Sequence, residues 1–156
     1  MLPKGCCFTG HRRISPQTAS ALSVQLDGLL VQLLSEGIRE YYCGGALGFD
    51  TLAEEAVLRL REREPSVRLH LILPCTDQDA RWSPSDRRRY AELLELADDV
   101  EYAADSYSEG CFFERNRRLV DYSTVCCAYL THSGGGTDYT VRYARQREKR
   151  LILLRG

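Results

Sequence analysis

The sequence predicts a doubly wound α/β domain, a mostly parallel sheet with helices on both faces. Short apolar runs alternate with longer amphipathic ones along the chain. The apolar runs are separated by helix-like stretches, an order that makes successive strands parallel through crossover connections. With 156 residues, 44% hydrophobic and 28% charged, the chain is long enough for one core and short for two, so one domain over residues 1–156 is expected.

Gly5 to Thr9 reads as a short buried strand. Pro16 to Glu36 reads as a helix, with Leu22, Leu26, Leu29, Leu30, Leu33 and Leu34 on one broad face. Ser15-Pro16 marks its start, since proline suits a first turn whose amides are unpaired. Ile38 to Cys43 is a second strand, followed by the loop GGALGFD and a helix from Thr51 to Arg63. Leu52, Ala53, Ala56, Val57 and Leu60 recur there at helical spacing, and Thr51 with Glu54 is spaced as a capping box. Val67 to Leu73 is the third strand, ended by Pro74; after a polar loop, Asp86 to Ala97 is helical and Asp99 to Tyr102 a short strand. A helix over Glu109 to Asp121, a strand over Thr124 to Leu130, a helix over Thr137 to Glu148 and a strand over Leu151 to Leu154 complete a Rossmann-like order. No repeat, low-complexity segment or linker interrupts it.

The 21 Lys and Arg nearly balance 22 Asp and Glu, for a formal charge of -1. No general electrostatic case exists for DNA or an anionic membrane, so any anion site has to be local. The apolar runs are too short for a membrane span, and Met1 to Lys4 leads into too few apolar residues for a secretion signal, which predicts a cytoplasmic protein. Seven cysteines, without a CxxC pair or a ligand-spaced histidine, point to reduced core thiols rather than zinc or a disulfide framework. Cys75, beside a proline at a strand end, is the one expected to be reactive.

In an open parallel sheet, ligands bind outside the carboxyl ends of the strands. The unusual stretches lie there: TGHRR after the first strand, GGALGFD after the second, PCTDQDARW after the third and THSGGGT after the fifth. Glycine lets a main chain approach a ligand closely, and the amides of a following helix start point at an anion. Gly44 and Gly45 in one loop and Gly134, Gly135 and Gly136 in another are expected to converge on one crevice, with Arg12 and Arg13 from a third. Neither GxGxxG nor GxxxxGK[ST] is present, so a standard dinucleotide fingerprint or P-loop is unsupported. Asp50, Glu54 and Glu55 crowd one helix start while Asp138 stands alone at the other, so phosphate should prefer GGGT. Asp50 suits either ribose hydroxyls or a helix cap.

The stretches CCFTGHR, GGALGFDTLAEEA, ERNRRLVDYS and GGGTDYTVRYA, with the series Pro74, Gln78 and Trp82, resemble the YpsA-like branch of the SLOG superfamily, named for the Smf/DprA and LOG proteins. The resemblance spans almost the whole chain. It implies a Rossmann-like fold that binds a nucleotide or nucleotide-derived ligand, of NAD or ADP-ribose type. By motif it implies Thr9, Gly10, Gly45, Asp50, Gly135, Gly136 and Thr137 as ligand-binding positions. LOG proteins of the superfamily cleave the N-glycosidic bond of cytokinin nucleotides and carry PGGxGTxxE; here Thr140 falls at the glutamate. A threonine cannot stabilise positive charge on a departing ribose as a carboxylate does. Asp50 and Glu114 are the remaining candidates for a catalytic carboxylate.

His11 follows a strand end and is favoured as a phosphate contact over His70, inside an apolar strand, and His132, in the turn. Arg115 and Asn116 pair a guanidinium with an amide, suited to phosphate and base edges, and the resemblance favours that over a merely solvated helix face. Trp82 either stacks on a base or covers the core, and Gln78 either reads a base edge or does not. Arg87 to Arg89 reads as a solvated face. DprA-type single-stranded DNA binding along Arg87–Arg89 and Arg142–Arg150 is a weaker alternative, given the near-neutral charge. Relatives implied by the resemblance often self-associate, so a homodimer is expected.

Overall fold

The computed structural model describes residues 4–156; Met1 to Pro3, which bear on the secretion reading, lie outside the described residues. The elements alternate as the sequence predicts: β1 (Gly5–Gly10), α1 (Pro16–Ser35), β2 (Glu40–Cys43), α2 (Phe49–Arg63), β3 (Arg68–Leu73) and α3 (Pro84–Leu96). They continue as β4 (Asp99–Tyr102), α4 (Cys111–Asp121), β5 (Val125–Tyr129), α5 (Gly136–Gln146) and β6 (Arg150–Leu153). All six strands join one sheet in the order β4-β3-β2-β1-β5-β6, with every neighbouring pair parallel. The winding runs outward from β1 through β2 and β3 to β4, then restarts on the other side with β5 and β6. The reversal falls between β1 and β5, where a crevice opens at the strand ends of a Rossmann-like fold.

Alternation along the strands builds two cores. Cys6, Phe8, Tyr41, Cys43, Leu69, Leu71 and Leu73 face α1, α2 and α3, whereas Cys7, Ile72 and Cys126 face α4 and α5. On α1 the buried positions Leu22, Leu26, Leu30 and Leu33 recur at helical spacing. Burying each of these leucines is worth roughly 1.5–3 kcal/mol. Among the described residues no helix is long and apolar enough to cross a membrane.

Local chemistry sets the helix starts. Ser15 accepts from the Thr18 amide (3.2 Å) ahead of a proline, as read from the sequence. Ser83-Pro84 does the same through Asp86 (3.2 Å), so α3 begins two residues before the expected Asp86. The capping box at Thr51 and Glu54 does not form. Gly48 is the N-cap of α2 with φ 78°, Thr51 Oγ1 donates to the Ala46 carbonyl (3.3 Å), and Glu54 is buried inside the helix. All seven cysteines are unpaired and buried. Cys75 is not the reactive thiol the sequence suggested: burial, reinforced by a hydrogen bond with Asp77, pushes its pKa up to about 12, so it stays protonated at neutral pH.

Candidate functional site

A crevice of about 330 Å³ lies at the β1 end of the reversal point, closed by the loop after β2 and the first turns of α4 and α5. Of the residues expected from sequence, Thr9, Gly10, His11, Arg12, Asp50, Arg115, Asn116, Gly136 and Thr137 line it. Gly134 and Gly135 precede α5 on the same loop. Gly45 and Trp82 instead line a separate small cavity, and Gln78 hydrogen-bonds Tyr90 (3.2 Å) beside it. Glu114 is outside the lining and half-exposed, held by Arg117 (2.8 Å) and Arg118 (3.1 Å) one helical turn on.

The two glycine loops differ in what their amides face. After β2, the Ala46 amide donates to Asp50 Oδ2 (3.1 Å), and the backbone of Gly44 and Gly45 lies close enough to Asp50 and Glu54 respectively to favour their ionised forms. This loop thus faces carboxyls of the same chain. At the start of α5, the Gly134 amide donates to Asp138 (3.0 Å), while Gly136 and Thr137 line the crevice at a helix start, where the first amides have no partner within the helix.

The glycines differ too. A side chain at Gly10 would overlap the Phe49 ring, and one at Gly44 would press on Arg115 and Asp50. Gly45 (φ 71°) and Gly48 (φ 78°) need positive φ and are also crowded. These four are bare for structural reasons. Gly134 (φ 99°) needs its backbone freedom but has open space around it. Gly135 and Gly136 need neither: a Cβ on Gly135 would meet nothing within 4 Å, and one on Gly136 only Asn116 Nδ2 at 3.9 Å.

Positive charge enters from two elements. Arg115, 5% exposed on α4, donates through Nε to Asn116 Oδ1 (2.7 Å) and through a terminal nitrogen to the Gly44 carbonyl, which ties α4 to the loop after β2. Arg12 from the loop after β1 and Arg115 both contact the Phe112 ring, at 5.6 and 5.5 Å from its centre. Asp50, 6% exposed, is the carboxyl of the crevice; burial raises its pKa to about 6, against the pull of Arg115. His11 is a neutral ring. Its Nε2 accepts from the Thr131 amide (2.8 Å), which leaves the proton on Nδ1, and burial followed by the neighbouring His132 lowers its pKa. His132 stacks on it in parallel at 4.1 Å.

Several crevice residues escaped the sequence. Phe112 and Phe113 line it from the first turn of α4, and the spacing of Phe112 from Arg115 and Asn116 was the available signal. His132 follows a strand end as His11 does and stacks on that ring without itself lining the crevice. His70 is structural, between Glu40 (2.8 Å) and Asp99 (3.5 Å) and stacked on Tyr42.

The two titrating groups act on the fold in opposite senses. A raised folded pKa makes ionised Asp50 a penalty that is complete above about 6 and relieved progressively down to 3.8. The lowered pKa of His11 makes its contribution whole above 6.5 and lost as the pH falls below that. Asp50→Asn is expected to raise the melting temperature at pH 8, with the gain shrinking as pH falls below about 6. Thermal melts across that range check it, and an unchanged gap at every pH would show that Asp50 is not the titrating group.

A UPF0398 protein of Halalkalibacterium halodurans is 28% identical over 77% of this chain; the match spans 65% of that relative, less than two thirds of its length. The SPbeta prophage-derived protein YoqJ of Bacillus subtilis is 26% identical over 83% of each chain. Among solved structures, DNA processing protein A from Helicobacter pylori, described for its single-stranded DNA binding mode, covers 99% of this chain and 66% of its own. At 23% identity and a TM-score of 0.69, that likeness shows a shared fold. The model of the YspA SLOG family matches residues 9–152, and the chain belongs to that family.

Proposed function

We propose that the crevice binds a phosphate-bearing, nucleotide-derived ligand of the NAD or ADP-ribose type, and that the protein acts as a sensor rather than a hydrolase. One observation carries the reading: Gly135 and Gly136 are bare although neither backbone angle nor packing requires it. A phosphate close to their amides gives the reason, because a side chain would take its place. Thr137 supplies a hydroxyl at the same helix start, Arg12 and Arg115 supply charge, and Asp50 accepts from ribose hydroxyls. Calorimetric titration with adenine nucleotides, ADP-ribose and NAD tests it; binding of none of them sinks the reading.

Hydrolysis of an N-glycosidic bond needs a carboxylate at the ribose. Thr140 is buried, with its hydroxyl committed to the Gly136 carbonyl (2.9 Å) inside α5, and Glu114 is held outside the crevice. Asp50 alone remains for that role. AMP and cytokinin ribotides are expected to survive incubation, as read by chromatography. Steady adenine release, lost in Asp50→Asn, would install the hydrolase.

Single-stranded DNA is the second reading, favoured by the fold shared with the Helicobacter pylori protein. Against it, several cations of the proposed track are engaged internally: Arg89 with Glu55 (2.8 Å), Arg142 with Asp138 (3.2 Å) and Arg150 with Glu36 (2.5 Å). Weak binding that fades steeply with salt is expected. Submicromolar binding of oligonucleotides at physiological salt, by fluorescence anisotropy, would reverse the ranking.

A further inference from the structure

One helical turn beyond Asp50, α2 carries a second buried carboxyl that the crevice does not use. Glu54 is 1% exposed, and its Oε2 has no hydrogen-bond partner among the described residues. Burial, then the charge of Asp50, pushes its acid well above the usual carboxylate range. Glu54 lines a cavity of about 40 Å³, walled by Trp82 and Tyr90 and by Leu47 and Leu93. Two other charged residues line it. Asp86 stands at the start of α3, and Arg89 is spent on Glu55 (2.8 Å) and Glu92 (3.3 Å). Beside Tyr90, Gln78 donates its amide to the phenol oxygen (3.2 Å) and leaves its own Oε1 unpartnered as well.

A buried carboxyl oxygen without a partner is costly to keep, so a donor in the cavity would explain why it persists. The space fits one group about the size of a water molecule. The walls select its chemistry. A hard metal cation gathers about six or more oxygens, whereas here the Glu54 and Asp86 carboxyls and Thr51 share the lining with aromatic and aliphatic surfaces and with the Arg89 guanidinium. The Trp82 and Tyr90 rings meet edge to face, with centres 5.1 Å apart. An ammonium group matches that setting, since its positive charge opposes the effect of burial, so that Glu54 releases its proton on binding and accepts N–H as a carboxylate while the cation rests against aromatic rings.

We propose that this cavity is a subsite for an ammonium group, either the free ion or the terminal primary amine of a larger ligand, with Glu54 as its counter-ion and Trp82 and Tyr90 as its walls. The subsite stands independently of the crevice and its phosphate.

Trp82 is the single tryptophan of the chain, so its emission reports on the cavity directly. Wild-type protein is titrated with ammonium chloride and with methylammonium chloride, and with sodium chloride at matched ionic strength. A saturable emission change with ammonium and none with sodium is expected. A response to ammonium alone assigns the site to the free ion, and a response to both assigns it to an amine terminus. Glu54→Gln keeps the shape and removes the charge, and is expected to weaken the response at least tenfold while melting no lower than wild type. Should Glu54→Gln fail to fold, the comparison of ammonium with sodium on wild type decides alone, with Tyr90→Phe expected to retain the response. Equal responses to ammonium and sodium, no response to either, or an undiminished response in folded Glu54→Gln would each overturn the proposal and leave an ordered water as the occupant.

Discussion

Gly136→Val is expected to abolish binding of an NAD- or ADP-ribose-type ligand while leaving the protein folded. Gly136 opens α5 with space around it, the nearest atom to an added Cβ being Asn116 Nδ2 at 3.9 Å. The fold therefore has room for an added Cβ, and the loss falls on whatever occupies the space beyond it. An affinity loss of at least about 100-fold is expected, roughly 2.8 kcal/mol at 1.4 kcal/mol per decade. Calorimetric titration, corrected for folded fraction by circular dichroism, measures it. Gly136→Ala should show a smaller loss in the same direction. Thr137→Val adds a check, because it keeps the shape and deletes the hydroxyl. Glycine variants that fold and bind as wild type would reduce the loop to a turn.

Gly48→Ala is expected to act on the fold instead, by on the order of 3 kcal/mol or more, since it combines backbone strain with overpacking. Gly48 holds φ 78° and ψ -118°, and an added Cβ would overlap the main-chain carbonyl of Arg12. No rotamer relieves a clash with backbone. The next amide, of Phe49, donates to the His11 carbonyl (3.1 Å), so the start of α2 and the loop after β1 are locked together at this residue. Urea denaturation reads the loss as a lower midpoint at unchanged slope. A cost below about 1 kcal/mol would mean that the loop after β1 moves aside freely.

The contrast between these two glycines explains what the sequence could and could not reveal. Strands and helices were legible because apolar periodicity reports burial, and burial dictates the elements: Leu22, Leu26, Leu30 and Leu33 mark α1 with no tertiary information. The helix starts were less so. Ser15 and Ser83 cap by the same serine-proline pattern, yet Thr51 and Glu54 imitate a cap inside a helix that a positive φ at Gly48 had already begun. The strand ends brought Thr9, His11, Asp50, Arg115 and Thr137 together as read. The sequence could not say which glycine-rich loop keeps its amides free, because that depends on Asp50 and Glu54 folding back onto the loop after β2. It equally hid Phe112, whose place beside two guanidinium groups depends on how α4 packs.

The seven sealed cysteines turn the protein into its own unfolding clock. Five of them lie on β1, β2 and β5 and face both cores, with Cys75 after β3 and Cys111 at the start of α4, and Cys6, Cys43 and Cys127 are further held as protonated thiols by their surroundings. A thiol-modifying reagent therefore finds its target only when the surrounding structure opens. At low reagent the labelling rate follows the equilibrium population of open forms, and at high reagent it reaches the opening rate itself. Because Cys7 and Cys126 lie directly across β1 and β5, beneath the crevice, the labelling of that pair times the parting of the two strands between which the fold reverses.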